Sequence, residues 1–518
     1  MAYILIGLSS GVVIRGFLWA LAFVGFCNAL VGIYQYHVDS AFWAFQAAGW
    51  TRGFVEDSAS GFFVSGNHFA CFVAASSMWY LCYGLFSNSR LRWLVLIVFA
   101  VMAYAIVLST SRMGIVAFGG GAFTVTIGAL INRRFSGSSM ISKIIMGGVV
   151  AIIILFGYGA YKQLDTHFGG KAFKHLSARS YLWKWALRQS EERCYLGTGS
   201  RSYAYYERKY RKREENWIYG TKRDMNAVYA HCDYLQLLAE YGILGVAFTL
   251  IGVVSHLGLG VVGLFRLDRK QSDESTIIPL VFGLSSCAVL LVNAVADFSF
   301  HIWPIMLSFG MGLGCISVSL PRRDTGEKTL RSGGGLLMKA GGCISLLLLA
   351  VPGIRWAKAD GNLIAGRRLD PLDSLEVLKE AEALDAQNFN VPLLLADRYV
   401  TLALAPDWES ISNDWREKAI PCYERVISEY PHNFDARVGL AKSLSILGRF
   451  EDAEAHFKRE MSWSQNNRVI RIEYAEHLIR QGKFLEAVPH IRAALYMRLS
   501  SEQEKRYSDL LELFSELE

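Results

Sequence analysis

The sequence has little proline and no paired cysteines. Its 518 residues include 10 prolines and 47 glycines, which excludes a collagen-like or proline-rich disordered chain. The nine cysteines lie mostly in apolar stretches and form no Cys-x-x-Cys pair, so zinc ribbons and disulfide scaffolds are excluded. The motifs of zinc proteases, nucleotide-binding P-loops and serine hydrolases are missing too. We therefore expect neither a cofactor nor a bound metal.

Charged residues are scarce over the first two thirds of the chain. Hydrophobic residues make up 52% of the sequence and charged residues 19%. Residues 1–355 hold nearly unbroken apolar blocks, each of about 18 residues or more, whereas 356–518 have the composition of a charged helical protein. We expect about nine membrane spans. They are placed at 16–36, 65–86, 91–109, 113–131, 140–161, 240–265, 276–296, 301–320 and 335–354.

Basic residues in the short loops set the expected orientation. They fall in four loops, at 90–92, 133–134, 266–270 and 322–331. All four lie on one side of the predicted spans, and by the positive-inside rule that side is cytoplasmic. The long segment 162–232 and the C-terminal region are then extracytoplasmic.

The segment 162–232 is strongly basic for an extracytoplasmic loop. It has 15 Lys and Arg against 7 Asp and Glu, while the whole chain has a net charge of +7. Either an anionic ligand or a face resting on anionic lipid headgroups explains the surplus. The interleaved aromatic residues suit both a membrane-interface belt and stacking against sugar rings. Nucleic acid is not expected as a partner on this side of a membrane.

The C-terminal region repeats with a period of 34 residues. Residues 434–467 align with 468–501, and the Gly-Arg-Phe at 448–450 matches the Gly-Lys-Phe at 482–484. This period is typical of tetratricopeptide repeats. A weaker upstream copy implies an insertion of 11 residues near 405–414.

The predicted fold is therefore all-α. A polytopic transmembrane helix bundle precedes a soluble tetratricopeptide-type α-solenoid, whose concave surface could bind an envelope protein partner. The expected domains are N-terminal membrane helices at 1–161, a basic loop at 162–232, C-terminal membrane helices at 233–355 and the repeats at 356–518.

Polar residues gather at the extracytoplasmic ends of the spans. Arg112 follows Ser109-Thr110-Ser111 between two spans, Arg179 begins an amphipathic stretch, and Arg201 follows Gly197-Thr-Gly-Ser. Each arginine could instead be a helix-end or surface residue beside lipid.

The segment from His231 to Gly245 enters the membrane as a helix. If the helix includes His231, then Gly242 and Gly245 lie within about 40° of it on one stripe, as a helix-packing motif. If Asp233 caps the helix and Gln236 closes a capping box, His231 stands just before a helix N-terminus, which attracts anions.

These blocks resemble the O-antigen ligases and the related O-antigen polymerases. The His, small residue, nine residues, Gly, two residues, Gly pattern is similar to the signature of that family, although Cys232 stands where relatives usually carry Asn, Ser or Gln. Further similar blocks occur in the family's order, at Gly61 to Ala70, Thr110 to Arg112, Arg179 to Gly199 and Asp297 to Pro304. Relatives usually have more spans, so we expect several N-terminal helices to be missing.

The resemblance implies a membrane glycosyltransferase of the bacterial inner membrane. Such an enzyme transfers a glycan from a polyprenyl pyrophosphate carrier to an acceptor hydroxyl of a lipid, glycan or protein, and the sequence leaves ligase and polymerase both open. His231 is the expected base, because its unperturbed pKa is about 6.5. Arg179 is the second expected catalytic residue, and Arg112 and Arg201 are expected to bind the pyrophosphate, because guanidinium groups grip phosphate oxygens bidentately.

Other functions stay open at this stage. A metal-dependent protein oligosaccharyltransferase would use Glu56 and Asp57 of the first outer loop. A membrane-anchored scaffold would use the repeats to recruit envelope partners, with an inactive membrane half. A lipid-linked sugar flippase is a third alternative, although few ionisable residues lie in the middle of the spans.

Overall fold

A computed structural model of the chain describes residues 11–42, 58–131, 171–212, 227–266, 273–320, 354–496, 499 and 501–515. Within these ranges all regular structure is helical, which confirms the all-α prediction there. The helices of the first part are α1 Gly11–His37, α2 Gly66–Phe86, α3 Arg92–Leu108, α4 Arg112–Ile131, α5 Lys171–Glu192, α6 Tyr203–Tyr210, α7 Asp233–Arg266, α8 Glu274–Asn293 and α9 Trp303–Ser319. Those of the C-terminal part are α10 at 354–368, α11 Pro371–Leu384, α12 Asn390–Leu404, α13 Ser412–Glu429, α14 Phe434–Ile446, α15 Phe450–Trp463, α16 Arg468–Arg480, α17 Phe484–Tyr496 and α18 Ser501–Ser515.

Five of these helices are long and apolar enough to cross a membrane. They are α1 from Ile14 onward, α2, α4, α7 and α8, while α3 and α9 are shorter apolar helices. These seven helices coincide with seven of the predicted spans, and the predicted spans at 140–161 and 335–354 lie outside the described residues. The long helix α7 begins at Asp233, upstream of the predicted start at 240.

The chain divides into two compact units, each made of segments that are separate in the sequence. The first comprises Met1–Arg179, Arg193–Gly197 and Tyr229–Ile344. The second comprises Ser180–Glu192, Thr198–Val228 and Ser345–Glu518. The predicted basic loop is thus shared between the units, and most of its described part belongs with the C-terminal helices.

In the first unit, α2 is the central helix and α7 is peripheral. Of the most apolar stretch of α2, 89% is buried, whereas only 17% of the corresponding stretch of α7 is buried. Exposed apolar side chains such as Phe248 and Ile251 cover the outer half of α7, as expected of a helix face in contact with lipid.

Small residues let the apolar helices of the first unit approach closely. An added Cβ at Gly283 of α8 would lie 2.5 Å from the carbonyl oxygen of Gly312 in α9. At Gly121 of α4 it would lie 2.4 Å from Val289 of α8. Van der Waals contact between backbones drives association where lipid and side chain are equally apolar, so these glycines set the helix spacing.

In the second unit, consecutive helices repeat the same local features at the 34-residue period. Asn433 and Asn467 cap α14 and α16 with their side-chain oxygens. Gly448 and Gly482 adopt left-handed backbone (φ 79° and 74°) at the ends of these helices. The asparagine oxygens accept from amide groups at the helix starts, and the left-handed glycines let the chain pair carbonyl groups at the helix ends.

The predicted insertion corresponds to irregular structure. The 3₁₀ segment Pro406–Ile411 precedes α13, which at 18 residues is longer than the later helices of the pattern. The period and the helix pairs support a repeat architecture, and the tetratricopeptide assignment itself stays a prediction.

We predict that Gly283→Ala destabilises the first unit. The methyl group of the new alanine would lie 2.5 Å from the Gly312 carbonyl oxygen, which is too close unless α8 and α9 move apart. The thermal unfolding midpoint in detergent should therefore fall. Gly252→Ala is the matched control, because a Cβ there meets nothing within 4 Å. Equal unfolding midpoints for the two variants would contradict this packing.

Candidate active site

Three motif residues share an uncommon backbone conformation. Thr110, Arg201 and His231 have φ values of 56°, 58° and 51°, and in the described part of the chain they are the non-glycine residues with positive φ. Each costs about 1–3 kcal/mol and persists only where surrounding contacts hold it, typically at functional sites. All three belong to segments that the sequence singles out.

His231 lies beside the buried carboxylate of Asp297. Its Nδ1 is 3.6 Å from Asp297 Oδ1, and His68 Nε2 approaches the same oxygen at 3.9 Å. Asp297 is 1% exposed, whereas the His231 side chain is 35% exposed. The carboxylate is therefore enclosed by two imidazoles, and the His231 ring reaches the surface of the unit.

The ring of Phe298 separates and orients the two histidines. It makes edge-to-face contacts with His68 and His231 at centroid distances of 4.7 and 4.8 Å, and it stacks on Tyr229 at 4.1 Å. Edge-to-face packing restricts each imidazole to one plane. His231 is therefore held from two directions, by Asp297 and by this aromatic ring.

The Asp297 carboxyl remains ionised despite its burial. Burial raises the pKa of this group, but the polar contact with His231, the charge of His68 and the Phe298 amide, which donates to Oδ1 at 2.9 Å, bring the pKa below its usual value. A buried anion beside an imidazole stabilises the imidazolium that forms when His231 accepts a proton.

Two arginines approach the same cluster. Arg179 Nη1 donates a hydrogen bond of 2.8 Å to the carbonyl oxygen of Ala296, the residue before Asp297. Arg112, the first residue of α4, is close enough to Arg179 for their charges to repel each other. Two guanidinium groups held together in this way favour an anion between or beside them.

The hydroxyl groups of the turn before Arg112 have local roles. Ser111 Oγ accepts a hydrogen bond from the Gly114 amide and thereby caps α4, and Ser109 Oγ donates to the Ile106 carbonyl oxygen. These hydroxyls hold the turn that presents Arg112.

A second histidine–aspartate pair lies next to the first. His301 Nδ1 is 3.0 Å from Asp233 Oδ1, and His301 Nε2 is 3.2 Å from Gln236 Nε2. The Ala230 amide donates to Gln236 Oε1, so the amide NH₂ group of Gln236 faces His301 and Glu240. Because an NH₂ group only donates, His301 Nε2 accepts and its proton resides on Nδ1.

The start of α7 differs from both geometries predicted for His231, because the helix does not include His231 and its cap is Cys232 instead of Asp233. His231 and Cys232 precede the helix, which begins at Asp233. The Asp233 carboxylate accepts from His301 and from the Phe300 amide, so it links α7 to the segment before α9.

Cys232 occupies the cap of α7. Its carbonyl oxygen accepts from the Gln236 amide, and its sulfur interacts with the amides of Tyr234 and Leu235. Burial raises the pKa of the Cys232 thiol, although those amides oppose the shift. An Asn or Ser side chain at this position would be a stronger helix cap.

The two glycine motifs contact each other. Gly242 interrupts α7 with φ 66°, and an added Cβ would lie 2.4 Å from the Tyr195 carbonyl group. A Cβ on Gly197 would lie 2.3 Å from the backbone of Glu240. The Ile243 amide donates to the Cys194 carbonyl oxygen at 2.8 Å across this contact.

The predicted helix-packing stripe therefore takes a different form. The kink at Gly242 binds the segment 193–197 instead of another membrane helix. An added Cβ on Gly245 would meet Tyr241 of its own helix at 2.4 Å. Among the residues that the structure describes, Gly242 is the one of this pair that lies against another segment.

Arg201 belongs to the second unit, in the turn before α6. There Thr198 Oγ1 and Ser202 Oγ each interact with the side chain of Gln189.

The alternative metal ligands Glu56 and Asp57 lie outside the described residues. Within the described ranges, no three His, Cys, Asp or Glu side chains form a group that could hold a metal.

Asp297, His68 and Phe298 are not among the site residues predicted from the sequence. These residues are far from His231 in the chain, and periodicity gives no signal for such contacts. One signal was available, because an ionisable residue at the end of an apolar span, as Asp297 is, indicates function more often than structure.

Residues 97–250 match the sequence family described as O-antigen ligase. The match includes Arg112, Arg179, Arg201 and the segment from His231 to Gly245. A search of curated proteins finds no match. The family match supports an O-antigen ligase type of membrane enzyme, in agreement with the five candidate membrane helices.

We predict that Cys232→Asn leaves stability unchanged or raises it by up to about 1 kcal/mol, because asparagine is a stronger helix cap. The measurement is thermal unfolding in detergent. Cys287→Asn is the control, since Cys287 is fully buried within α8 and an amide there is costly. A loss with Cys232→Asn as large as that of the control would contradict the cap role.

Proposed function

We propose that this protein transfers a glycan from a polyprenyl pyrophosphate carrier to an acceptor hydroxyl during cell-surface polysaccharide biosynthesis. The observation that carries the proposal is the position of His231 beside the ionised, buried Asp297, with Arg179 bound to the adjacent Ala296 carbonyl oxygen. A base and a phosphate-binding cation thus occupy one place.

His231 acts as the general base in this proposal. In this proposal Nδ1, which lies 3.6 Å from Asp297 Oδ1, carries the proton, and the basic lone pair is on Nε2. Nε2 takes the proton of the acceptor hydroxyl as its oxygen attacks the anomeric carbon of the donor sugar. The bond between that carbon and the pyrophosphate oxygen breaks, and Asp297 stabilises the imidazolium.

The arginines stabilise the leaving pyrophosphate. Arg112 lies at the start of α4 and Arg179 beside Ala296, and the repulsion between their charges is relieved when an anion binds. Planar guanidinium groups neutralise charge that develops on the departing oxygen. Arg201 is a further proposed ligand of the carrier, on the strength of its motif.

The proposal places this chemistry on the outer face of the bacterial inner membrane. The basic loops predict that orientation. The described residues 198–212 and the C-terminal helices form one compact unit, which supports placing both on the same side of the membrane. The C-terminal helices would also recruit the acceptor or an envelope protein partner, and no nucleic acid is involved.

We predict that His231→Ala lowers the turnover number roughly 10²-fold or more, because general-base assistance contributes about 10²–10⁴-fold. The assay measures glycan transfer from a polyprenyl pyrophosphate donor in proteoliposomes. His256→Ala is the control, since His256 lies on the same helix and its Nδ1 interacts with the Gly252 carbonyl oxygen one turn earlier.

The same assay separates the alternatives. EDTA should leave the wild-type rate unchanged, and abolition by EDTA would favour the oligosaccharyltransferase that uses Glu56 and Asp57. Wild-type turnover in His231→Ala would refute the base assignment. No transfer by the wild-type protein with any acceptor would favour the scaffold.

We predict that alkaline phosphatase fused after residue 360 is active and that green fluorescent protein fused there is dark, because the C-terminal helices are proposed to be extracytoplasmic. Fusions after Arg266, in a loop predicted to be cytoplasmic, should give the opposite pair of results. A fluorescent fusion after residue 360 would place the C-terminal helices and the basic segment in the cytoplasm, on the opposite side of the membrane from the proposed donor.

A further inference from the structure

Helix α6 of the basic segment is bound to the C-terminal helices of the second unit. Trp463 Nε1 donates a hydrogen bond of 3.2 Å to the Tyr205 carbonyl oxygen, and Asn466 Nδ2 donates one of 2.9 Å to the Arg211 carbonyl oxygen. The Tyr206 ring meets the Trp463 ring edge-on at 4.9 Å. These bonds join residues more than 250 positions apart in the chain.

A buried arginine lies at the centre of this contact. Arg208 is 4% exposed, its guanidinium group is 4.7 Å from the centre of the Phe434 ring, and its Nη2 donates to the His432 carbonyl oxygen at 3.3 Å. Glu207, 0% exposed on the same helix, and Glu460, 2% exposed, contribute compensating charges. The contacts with Glu460, Phe434 and His432 favour one docked position, because a displacement of α6 would remove all three from Arg208.

Helix α6 is bound on its other side to α5. Tyr203 Oη donates to the Leu182 carbonyl oxygen at 3.0 Å, and Arg188 Nη1 donates to the Tyr210 carbonyl oxygen at 2.7 Å. The Arg211 guanidinium group stacks 4.8 Å above the Trp185 ring. Helix α5 is the helix that carries Arg179.

We propose that the C-terminal helices position the arginine-bearing segment for catalysis, with Trp463 and Arg208 as positioning residues. The inference rests on the proposed glycan transfer and deepens it. A continuous set of contacts runs from α14 and α15 through α6 to α5. The C-terminal region is then an integral part of the enzyme, and its role extends beyond recruitment of partners.

Positioning and simple recruitment are expected to affect different kinetic constants. A recruiting region raises the local concentration of an acceptor, so its disturbance raises KM. A positioning region fixes the geometry of groups that act on the leaving group, so its disturbance lowers kcat.

The test compares Trp463→Ala with Trp463→Phe in the full-length protein. Trp463→Ala should lower kcat for a polyprenyl pyrophosphate donor roughly 10-fold or more, with a smaller change in KM. Trp463→Phe keeps the ring contact with Tyr206 and should restore part of the rate. Trp408→Ala is the matched control, because Trp408 packs on Trp415 and belongs to the same unit. It should leave kcat near the wild-type value.

Hydrogen exchange provides a readout that does not depend on activity. The amides of residues 203–210 should exchange faster in Trp463→Ala than in wild type and Trp408→Ala. Unchanged exchange would overturn the docking whether or not the protein transfers glycans. Faster exchange with wild-type kcat, or equal loss of kcat in Trp408→Ala, would overturn the positioning role. Absence of transfer by wild type, with faster exchange in the variant, would instead refute the proposed function.

Discussion

The buried carboxylate of Asp297 is the constraint on which the candidate site depends. An ionised group that is 1% exposed is tolerated only when polar partners surround it. Its partners are His231, His68 and the backbone amide of Phe298, and the preceding carbonyl oxygen binds Arg179. The predicted base thus lies beside this buried carboxylate, and a predicted phosphate-binding residue binds the backbone immediately before it.

A close backbone contact provides the second constraint. Gly242 and Gly197 both have positive φ, and a side chain on either would overlap the backbone of the other segment. The contact joins the kinked start of α7 to the segment 193–197, which follows the helix that carries Arg179. Glycines that look like separate motifs in the sequence are therefore two sides of one contact.

The repeated part of the second unit shows how local pattern becomes structure. Arg437 contacts His456 and the Pro431 carbonyl oxygen, and 34 residues later Arg471 makes the same contacts with His490 and Gln465. The 34-residue period by itself predicts such equivalent contacts, because each helix pair packs against its neighbouring pairs in the same way. The contact of the buried Arg208 with these helices does not follow the period, because Arg208 lies outside the repeated segment of the chain.

Local pattern in the sequence determined the helices, the apolar segments, the 34-residue period and the residue types needed at the site. These depend on neighbours a few positions apart, and periodicity records such neighbours. Tertiary structure alone decided that Asp297 faces His231, that Gly242 meets the Tyr195 backbone and that Trp463 holds α6. Those contacts join residues 47 to 258 positions apart. They arise from burial and satisfied polar groups in three dimensions, which leave no period in a single sequence.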